Sequence, residues 1–197
     1  MTKNPNVKNK HAFATRLVDV LLAGFGLLIL SPFLLFLYVL GLIDTGSPLL
    51  CQERVGRDLK PFRIIKFRTM NIGTPHVGSH LVEKTSITPL GGLLRRTKLD
   101  ELPQLWNVLK GEMSLVGPRP NLFNQQDLIE ARTSLGVYSA RPGITGLAQI
   151  LSIDMSKPDL LARTDAQMLR EFNLVKYFKY IFLTVAGNGV GDRVKQK

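Results

Sequence analysis

The sequence predicts a mainly helical α+β protein in which an N-terminal membrane helix precedes a small globular domain. An uncharged apolar run of 24 residues covers positions 20–43. The 154 residues after it combine short strand-like segments with longer helical patterns. We place the boundary after residue 48, so that residues 1–48 form the membrane segment and residues 49–197 the globular domain.

The apolar run would span a bilayer as one straight helix, because 24 residues reach about 36 Å and the hydrocarbon core is about 30 Å thick. Ser31-Pro32 lies in its middle. Proline removes a helix hydrogen bond and clashes with the preceding turn, which predicts a bend or break there. Each half would then be about 16 Å long and reach only the middle of the bilayer.

Basic residues flank the run on both sides, and Lys and Arg are typical of cytoplasmic flanks. Lys3, Lys8, Lys10 and Arg16 precede it, and Arg54, Arg57, Lys60, Arg63, Lys66 and Arg68 follow it. Both ends therefore favour the same side of the membrane. This pattern predicts a re-entrant helix, broken at Ser31-Pro32, that enters and leaves by one face. The alternative is a kinked helix that spans the bilayer.

A short β-hairpin is predicted directly after the membrane segment. Residues 49–51 and 62–67 are rich in apolar and β-branched side chains, and the Gly- and Pro-containing stretch 56–61 separates them. Residues 71–89 contain several glycines and prolines with little periodicity, so we predict a loop there.

Helical periodicity resumes with Leu102, Leu105, Trp106 and Leu109, which recur at helical spacing. Gly111 follows at the position of a C-terminal cap, and Asp100 is placed to be the N-cap. Further helices are predicted at residues 122–132, 159–172 and 174–186.

The last predicted helix is amphipathic. It mixes Tyr177, Tyr180 and Phe182 with Lys176 and Lys179, and aromatic rings beside lysines favour the boundary between water and lipid. An interfacial helix and a core helix with two solvated lysines both fit this pattern.

The adjacent carboxylates Asp100 and Glu101 are the first candidates for chemistry, because Arg95, Arg96 and Lys98 precede them at the start of a predicted helix. Cations and a helix terminus stabilise carboxylate anions, which makes them available as metal ligands or as a nucleophile. The alternative is that Asp100 only caps the helix, since Asp is a preferred N-cap residue.

Several cations are presented in a way that suits phosphate. Arg119 and Arg141 each lie beside proline in stiff segments, Gly117-Pro-Arg-Pro120 and Arg141-Pro-Gly-Ile-Thr-Gly146. The planar guanidinium binds phosphate oxygens through two parallel hydrogen bonds. Lys66 and Arg68 alternate around one residue of a predicted strand, so both would face the same side. Structural turns and a solvated strand are the alternatives for these segments.

Six motifs together are similar to the bacterial sugar transferase family, the small monotopic phosphoglycosyl transferases. They are Arg16-Leu-Val-Asp19, Ser31-Pro32, Glu53-Arg54-Val-Gly56, Lys66-Phe-Arg-Thr-Met70, the stretch 99–120 that joins Asp100-Glu101 to Gly-Pro-Arg-Pro, and residues 141–146. The similarity extends from about residue 13 to residue 150 and weakens after Gln149.

The resemblance implies an enzyme anchored at the cytoplasmic face of a bacterial inner membrane. Such enzymes transfer a sugar 1-phosphate from a UDP-sugar to undecaprenyl or another polyprenyl phosphate, release UMP and start glycan assembly. It implies that Asp100 of the Asp100-Glu101 pair is the nucleophile, with Mg²⁺ beside it. By the same resemblance Lys66, Arg95, Arg119 and Arg141, with Arg68 beside them, are candidates for binding phosphate.

The net charge of +11 also allows a membrane-tethered basic module that binds anionic lipid or nucleic acid. The cations are dispersed and no zinc or RNA-binding motif is present, so we expect no nucleic-acid partner. The single cysteine excludes a disulfide framework. The sequence leaves open the sugar, the glycan pathway and assembly into a homo-oligomer.

Overall fold

The computed structural model describes residues 12–74 and 86–189. These ranges contain mainly helices with a few short strands, and a short 3₁₀ turn at Leu99–Glu101 lies between the second and third helices. In chain order the elements are α1 (Ala12–Thr45), β1 (Leu49–Val55), β2 (Pro61–Phe67), α2 (Pro89–Thr97), α3 (Gln104–Lys110), β3 (Ser114–Val116), α4 (Gln126–Ser134), β4 (Gly143–Thr145), α5 (Leu147–Ile150), α6 (Pro158–Arg170) and α7 (Leu174–Val185).

The apolar run forms one helix, α1, that is long and apolar enough to cross a membrane. It continues through Ser31 and Pro32, so the predicted break does not end the helix. Pro32 cannot donate to the carbonyl of Leu28, four residues before it. The hydroxyl of Ser31 donates to that carbonyl instead, at 2.8 Å, which explains why the helix does not stop there. A bend at Pro32 and the re-entrant path stay predictions.

Both halves of α1 pack against the globular domain. Ala23, in the first half, is fully buried in a cluster with Val108 of α3. Leu37, in the second half, packs with Leu94 of α2. Between them the helix is largely uncovered: Leu28 is 75% exposed. Exposed apolar surface in the middle of a long helix normally contacts lipid or another protein.

Polar contacts fix the two ends of α1 to the same domain. Near its start Arg16 donates to the carbonyls of Val108 at 2.6 Å and Leu109 at 2.9 Å. Near its end the carboxylate of Asp44 accepts a hydrogen bond from the hydroxyl of Thr88 at 2.6 Å. The globular domain therefore contacts α1 both before and after its uncovered middle.

The predicted hairpin is confirmed and is longer than expected. β1 and β2 pair antiparallel, from Leu49 opposite Phe67 to Val55 opposite Pro61. The first strand, predicted over residues 49–51, extends to Val55 and includes the adjacent charged residues Glu53 and Arg54. These residues remain in the strand because its outer face is partly exposed to solvent.

The fully buried Asn107 attaches α3 to the hairpin. Its side-chain oxygen accepts from the backbone N–H of Ile65 at 3.0 Å. Its amide group donates to the carbonyl of Arg63 at 2.7 Å and to the carboxylate of Glu112 at 2.7 Å. One side chain thus satisfies the backbone of β2 and orients α3 across it.

The predicted helix around Leu105 is confirmed, and its end is as expected because Gly111 adopts φ of +84°. The prediction that Asp100 is the N-cap is wrong. Asp100 lies inside the 3₁₀ turn Leu99–Glu101, and Pro103 takes the N-cap position of α3. The 3₁₀ turn precedes the α-helix, so the helix begins three residues later than an Asp100 cap would require.

The other helices agree with the sequence to different degrees. α6 and α7 occupy the predicted segments, whereas α4 begins at Gln126 rather than at residue 122. Within the predicted loop 71–89, residues 75–85 lie outside the described residues, and α2 begins at Pro89. The sequence did not predict α2 or the short parallel pair of β3 and β4.

The last helix, α7, has two different faces. Tyr177 and Tyr180 are buried against the domain core, whereas Val175 and Phe182 are 79% and 71% exposed. The helix therefore packs on the core by one face, and its position at a lipid boundary stays a prediction.

A buried carboxylate connects α1 with β3 and α7. Asp19 of α1 is 2% exposed and accepts three hydrogen bonds. The donors are the hydroxyl of Ser114 at 3.1 Å, the backbone N–H of Leu115 at 2.8 Å and the hydroxyl of Tyr177 at 2.6 Å. Burial, together with this hydrogen bond, raises the pKa of Tyr177 well above its ordinary value, so the hydroxyl remains a donor.

We predict that Tyr177→Phe lowers the free energy of unfolding by about 1.5–3 kcal/mol, because a buried carboxylate loses one of its donors. Thermal and denaturant unfolding in detergent would measure the change. Tyr180→Phe is the matched control on the same helix, since the described residues show no hydrogen bond from its hydroxyl. Equal stability of Tyr177→Phe and wild type would contradict the proposed importance of this contact.

Candidate functional site

The two carboxylates singled out in the sequence lie on the Leu99–Glu101 turn between α2 and α3. Asp100 is 4% exposed, and Glu101 is partly buried. The turn packs against β2 and α2, so regular elements support it on two sides. Asp100 therefore presents a carboxylate with little freedom to move.

Two of the predicted cations, Lys66 and Arg95, belong to the elements that support this turn. Lys66 is 7% exposed on β2, and Arg95 is 8% exposed in the last turn of α2. The Nε of Arg95 donates to the hydroxyl of Thr69 at 2.9 Å. α2 can approach Thr69 this closely because residue 91 is glycine, where a Cβ atom would lie 2.1 Å from the Thr69 carbonyl oxygen.

The second carboxylate, Glu101, forms an ion pair with Arg119. The distance from Arg119 Nη2 to Glu101 Oε1 is 3.0 Å, and the side chains are 23% and 15% exposed. Arg119, one of the predicted phosphate-binding residues, thus directly contacts a member of the carboxylate pair.

The turn that carries Arg119 is built by a close contact between two glycines. Gly117 donates to the carbonyl of Thr145 at 2.8 Å, and Gly143 donates to the carbonyl of Pro118 at 2.8 Å. A Cβ atom on Gly143 would lie 2.0 Å from the nitrogen of Gly117, so no larger residue fits. The two Gly- and Pro-containing motifs of the sequence therefore form one structural unit.

A buried ion pair between α4 and α6 supports this unit. Arg132 of α4 and Asp165 of α6 are each 1% exposed in their side chains, with Nη2 and Oδ2 2.6 Å apart. Arg132 Nη1 also donates to the carbonyl of Arg119 and to the side chain of Asn121, both at 2.9 Å. Burial raises the pKa of Asp165, and the Arg132 guanidinium opposes this.

The sequence analysis did not predict this ion pair, although the spacing of its two residues from buried leucines is a signal for it. Arg132 follows Leu128 by four residues, and Asp165 follows Leu161 by four. Leu128 and Leu161 are 2% exposed, so both charged residues lie on buried faces of their helices. One positive and one negative residue in such positions indicate a buried pair.

Two other predicted phosphate ligands bind backbone carbonyls. Arg68 Nε donates to the carbonyl of Ser47 at 2.8 Å, and thereby connects the end of β2 to the segment after α1. Arg141 Nε donates to the carbonyl of Gly111 at 2.9 Å. Burial lowers the pKa of Arg141, and the nearby Arg57 and Arg16 lower it further. Arg141 thus lies beside other arginines at the C-terminal end of α3.

A further cation belongs to the electrostatic surroundings of the carboxylate pair. Burial lowers the pKa of Lys98, the Glu101 carboxylate opposes this, and the Arg119 guanidinium lowers it further. These interactions place Lys98 in one group of charges with Glu101 and Arg119, beside Asp100 on the same turn.

The donor set around Asp100 suits a magnesium ion that is shared with a substrate. The described residues contain no group of three or more His, Cys, Asp or Glu that could hold a metal ion. Magnesium is commonly bound by one or two carboxylates together with substrate phosphates. The carboxylate oxygens of the buried Asp100 are of the kind that such a shared site uses.

Comparisons with known proteins agree with these features. A family model described as bacterial sugar transferase matches residues 10–188. The exopolysaccharide production protein ExoY of Sinorhizobium fredii is 33% identical over 86% of this chain and 83% of its own length. The UDP-N-acetylgalactosamine-undecaprenyl-phosphate N-acetylgalactosaminephosphotransferase of Aeromonas hydrophila is 32% identical, over 89% of this chain and 43% of its own length.

A third relative, the UDP-glucose:undecaprenyl-phosphate glucose-1-phosphate transferase of Caulobacter vibrioides, is 41% identical over 68% of this chain and 52% of its own length. The chain spans less than half of several curated relatives, from 32% to 43% of the length of three of them. The family match nevertheless covers both α1 and the carboxylate site. The chain therefore belongs to the bacterial sugar transferase family.

Proposed function

We propose that this protein transfers a sugar 1-phosphate from a UDP-sugar to undecaprenyl or another polyprenyl phosphate and releases UMP. This reaction would be the first membrane step of bacterial glycoconjugate synthesis. The observation that carries the proposal is the buried Asp100 carboxylate beside the Glu101–Arg119 ion pair. The printed names of the Aeromonas and Caulobacter relatives support the donor and acceptor classes.

In the proposed reaction an oxygen of Asp100 attacks the sugar-linked phosphorus of the UDP-sugar. A bond forms between Asp100 and phosphorus, the bond from phosphorus to the bridging oxygen breaks, and UMP leaves with that oxygen. A phosphate oxygen of the polyprenyl phosphate then attacks the same phosphorus and displaces the Asp100 carboxylate. The two steps together give a ping-pong reaction that regenerates the enzyme.

The electrostatic obstacle to this reaction is the approach of a carboxylate to a diphosphate. Arg119 opposes that repulsion, because its planar guanidinium can bind phosphate oxygens while Glu101 fixes its orientation at 3.0 Å. Lys66 and Arg95 add positive charge from the two elements that support the turn. The ion pair of Arg132 with Asp165 keeps the backbone of Arg119 in place.

Asp100 and the substrate phosphates would together hold Mg²⁺. When bound, this ion supplies positive charge that lowers the repulsion between anionic groups and stabilises the leaving phosphate. Asp100 orients one oxygen toward phosphorus because its burial leaves the side chain few alternatives.

We also propose that α1 is re-entrant and that the catalytic domain lies at the cytoplasmic face of the inner membrane. A helix of 34 residues is about 51 Å long, and a straight spanning helix could not contact a domain on one side of the membrane at both ends. Arg16 and Asp44 make such contacts at the two ends. The exposed residues of α7, Val175 and Phe182, would lie at the lipid surface beside α1.

The defining experiment is incubation of the full chain with Mg²⁺, undecaprenyl phosphate and a panel of UDP-sugars. UDP-glucose and UDP-N-acetylgalactosamine come first, because relatives named for these donors match the chain. Release of UMP supports transfer of a sugar phosphate, whereas release of UDP would show transfer of the sugar alone. Lipid or nucleic-acid binding without either product would favour the binding-module alternative.

We predict that Asp100→Asn folds normally and loses transfer by about a thousandfold or more, because the amide lacks the anionic nucleophile. Quenched reactions with labelled UDP-sugar and no acceptor should place the label on the peptide that contains Asp100. Asp159→Asn in α6 is the control, since it removes an exposed carboxylate outside the site. Substantial turnover by Asp100→Asn, or UMP release that strictly requires acceptor, would reject the covalent mechanism.

Arg119→Lys is predicted to lower the transfer rate by about 10- to 100-fold while thermal stability stays near that of wild type. Lysine keeps the charge but lacks the planar pair of donors that binds a phosphate and Glu101 together. Steady-state release of UMP would measure the effect. The control is Arg163→Lys on the exposed side of α6, which we expect to transfer at the wild-type rate. A fully active Arg119→Lys would place the phosphate contact elsewhere.

Both ends of α1 are predicted to label from the cytoplasm. In a Cys51→Ser background, single cysteines at Asn4 and Asn124 should react with an impermeant reagent only after the inner membrane is opened. Changing Ser31 to Ala and Pro32 to Leu removes the proline and the bend that we predict there, which favours a straight spanning helix, so Asn4→Cys should then react in cells with an intact inner membrane. Labelling at one of the two positions in such cells, without these changes, would show a spanning helix.

A further inference from the structure

Lys98 occupies a backbone conformation that disfavours lysine. It follows α2 with φ of +58° and ψ of +17°, in the left-handed region, and its N–H closes the helix on the carbonyls of Leu94 and Arg95. Glycine is the usual residue at this position of a helix end, because a Cβ atom makes the left-handed conformation costly. A lysine at this position lowers the stability of the fold relative to glycine, which indicates a function for its side chain.

The ammonium of Lys98 reaches a distant part of the chain. Its Nζ donates to the backbone carbonyl of Asn188 at 2.7 Å, which links positions 90 residues apart. Asn188 lies in residues 186–189, directly after α7. We call this stretch the post-α7 segment.

The post-α7 segment has a defined position in the fold. The N–H of Asn188 bonds to the carbonyl of Leu183 at 2.9 Å, and Gly187 adopts φ of +86°. Gly189 packs so closely on α5 that a Cβ atom would lie 2.4 Å from the carbonyl oxygen of Gln149. The segment therefore extends from the end of α7 to Lys98, where the Asn188 carbonyl accepts one hydrogen bond from the ammonium.

The remaining hydrogens of the ammonium can serve a ligand. An ammonium group carries three donors, and the Asn188 carbonyl accepts one. Lys98 directly precedes the Leu99–Glu101 turn that carries both carboxylates. Arg119 pairs with Glu101, and Lys66 and Arg95 lie on the elements that support the turn. Four cations are thus grouped with two carboxylates, and an anionic ligand would balance the excess positive charge.

We propose that Lys98 binds a phosphate group of the sugar nucleotide and that the post-α7 segment positions its ammonium to do so. This inference rests on the proposed function and adds a phosphate-binding residue to the same site. The ligand class is a uridine diphosphate sugar. Its product UMP retains one of the two phosphate groups. The segment after residue 149, where the family resemblance weakens, then contributes to donor binding through a backbone carbonyl.

The test compares Lys98→Gly with wild type by UMP binding and by thermal unfolding. Glycine relieves the left-handed backbone, so we expect an equal or higher melting temperature. We expect UMP to bind about tenfold or more weakly, because a charge-assisted hydrogen bond to phosphate is lost. Lys98→Arg should retain most of the binding. Leu59→Gly, at another left-handed residue in the hairpin connection, controls for relief of strain and should bind UMP as wild type does.

The role of the post-α7 segment is tested with Gly189→Ala, in which the new Cβ atom would displace the segment from Gln149. We expect it to weaken UMP binding, and to add little when combined with Lys98→Gly, because both changes remove the same contact. Fully additive effects would show that the segment does not act through Lys98.

Wild-type UMP affinity in Lys98→Gly would overturn the inference, and so would a lower melting temperature, because the side chain would then serve the fold. Equilibrium binding of UMP needs no turnover. The outcome is therefore separate from the test of the proposed function, which is decided by whether wild type releases UMP or UDP from the UDP-sugar.

Discussion

The buried carboxylate of Asp19 is the contact on which the arrangement of membrane helix and site depends. It accepts from β3 through Ser114 and Leu115, and from α7 through Tyr177. β3 leads directly into the turn that carries Arg119, and α7 leads into the segment that reaches Lys98. Apolar packing is non-directional, whereas three hydrogen bonds to one carboxylate specify both distance and angle. The position of the site relative to α1 is therefore fixed by polar contacts inside an apolar surrounding.

The site itself is assembled from segments that are far apart in the chain, and backbone contacts between glycines make this assembly tight. Gly91 lets α2 approach Thr69, and Gly117 meets Gly143 with no room for a side chain. These contacts bring charged groups together on rigid backbone instead of on mobile loops. A group that must meet a phosphate in a defined geometry benefits from such support, because reorganisation at the moment of reaction is avoided.

Local patterns predicted the elements whose periodicity is clear, namely the hairpin, α3, α6 and α7. They failed where two local structures compete, as at Asp100, whose neighbours suit an N-cap as well as the observed 3₁₀ turn. The Glu101–Arg119 contact was not predicted, because no spacing rule joins residues 18 apart in different elements. The pair of Arg132 with Asp165 was not predicted, because the apolar residues that mark the buried face of a helix do not show which charged residues share that face.

The positive charge of the chain serves two separate purposes, and the structure distinguishes them by what each arginine contacts. Arg16, Arg68 and Arg141 donate to backbone carbonyls near the ends of α1 and α3, where they satisfy peptide groups that helices and strands leave open. Arg119 instead contacts a carboxylate beside the buried Asp100. The guanidinium suits both tasks because its five donors form a rigid planar fork that bonds carbonyl and carboxylate oxygens alike. A net charge of +11 therefore does not locate the site by itself. What locates it is the Leu99–Glu101 turn, where Arg119 contacts Glu101 beside the buried Asp100. The more deeply buried pair of Arg132 and Asp165 supports the backbone of Arg119 instead.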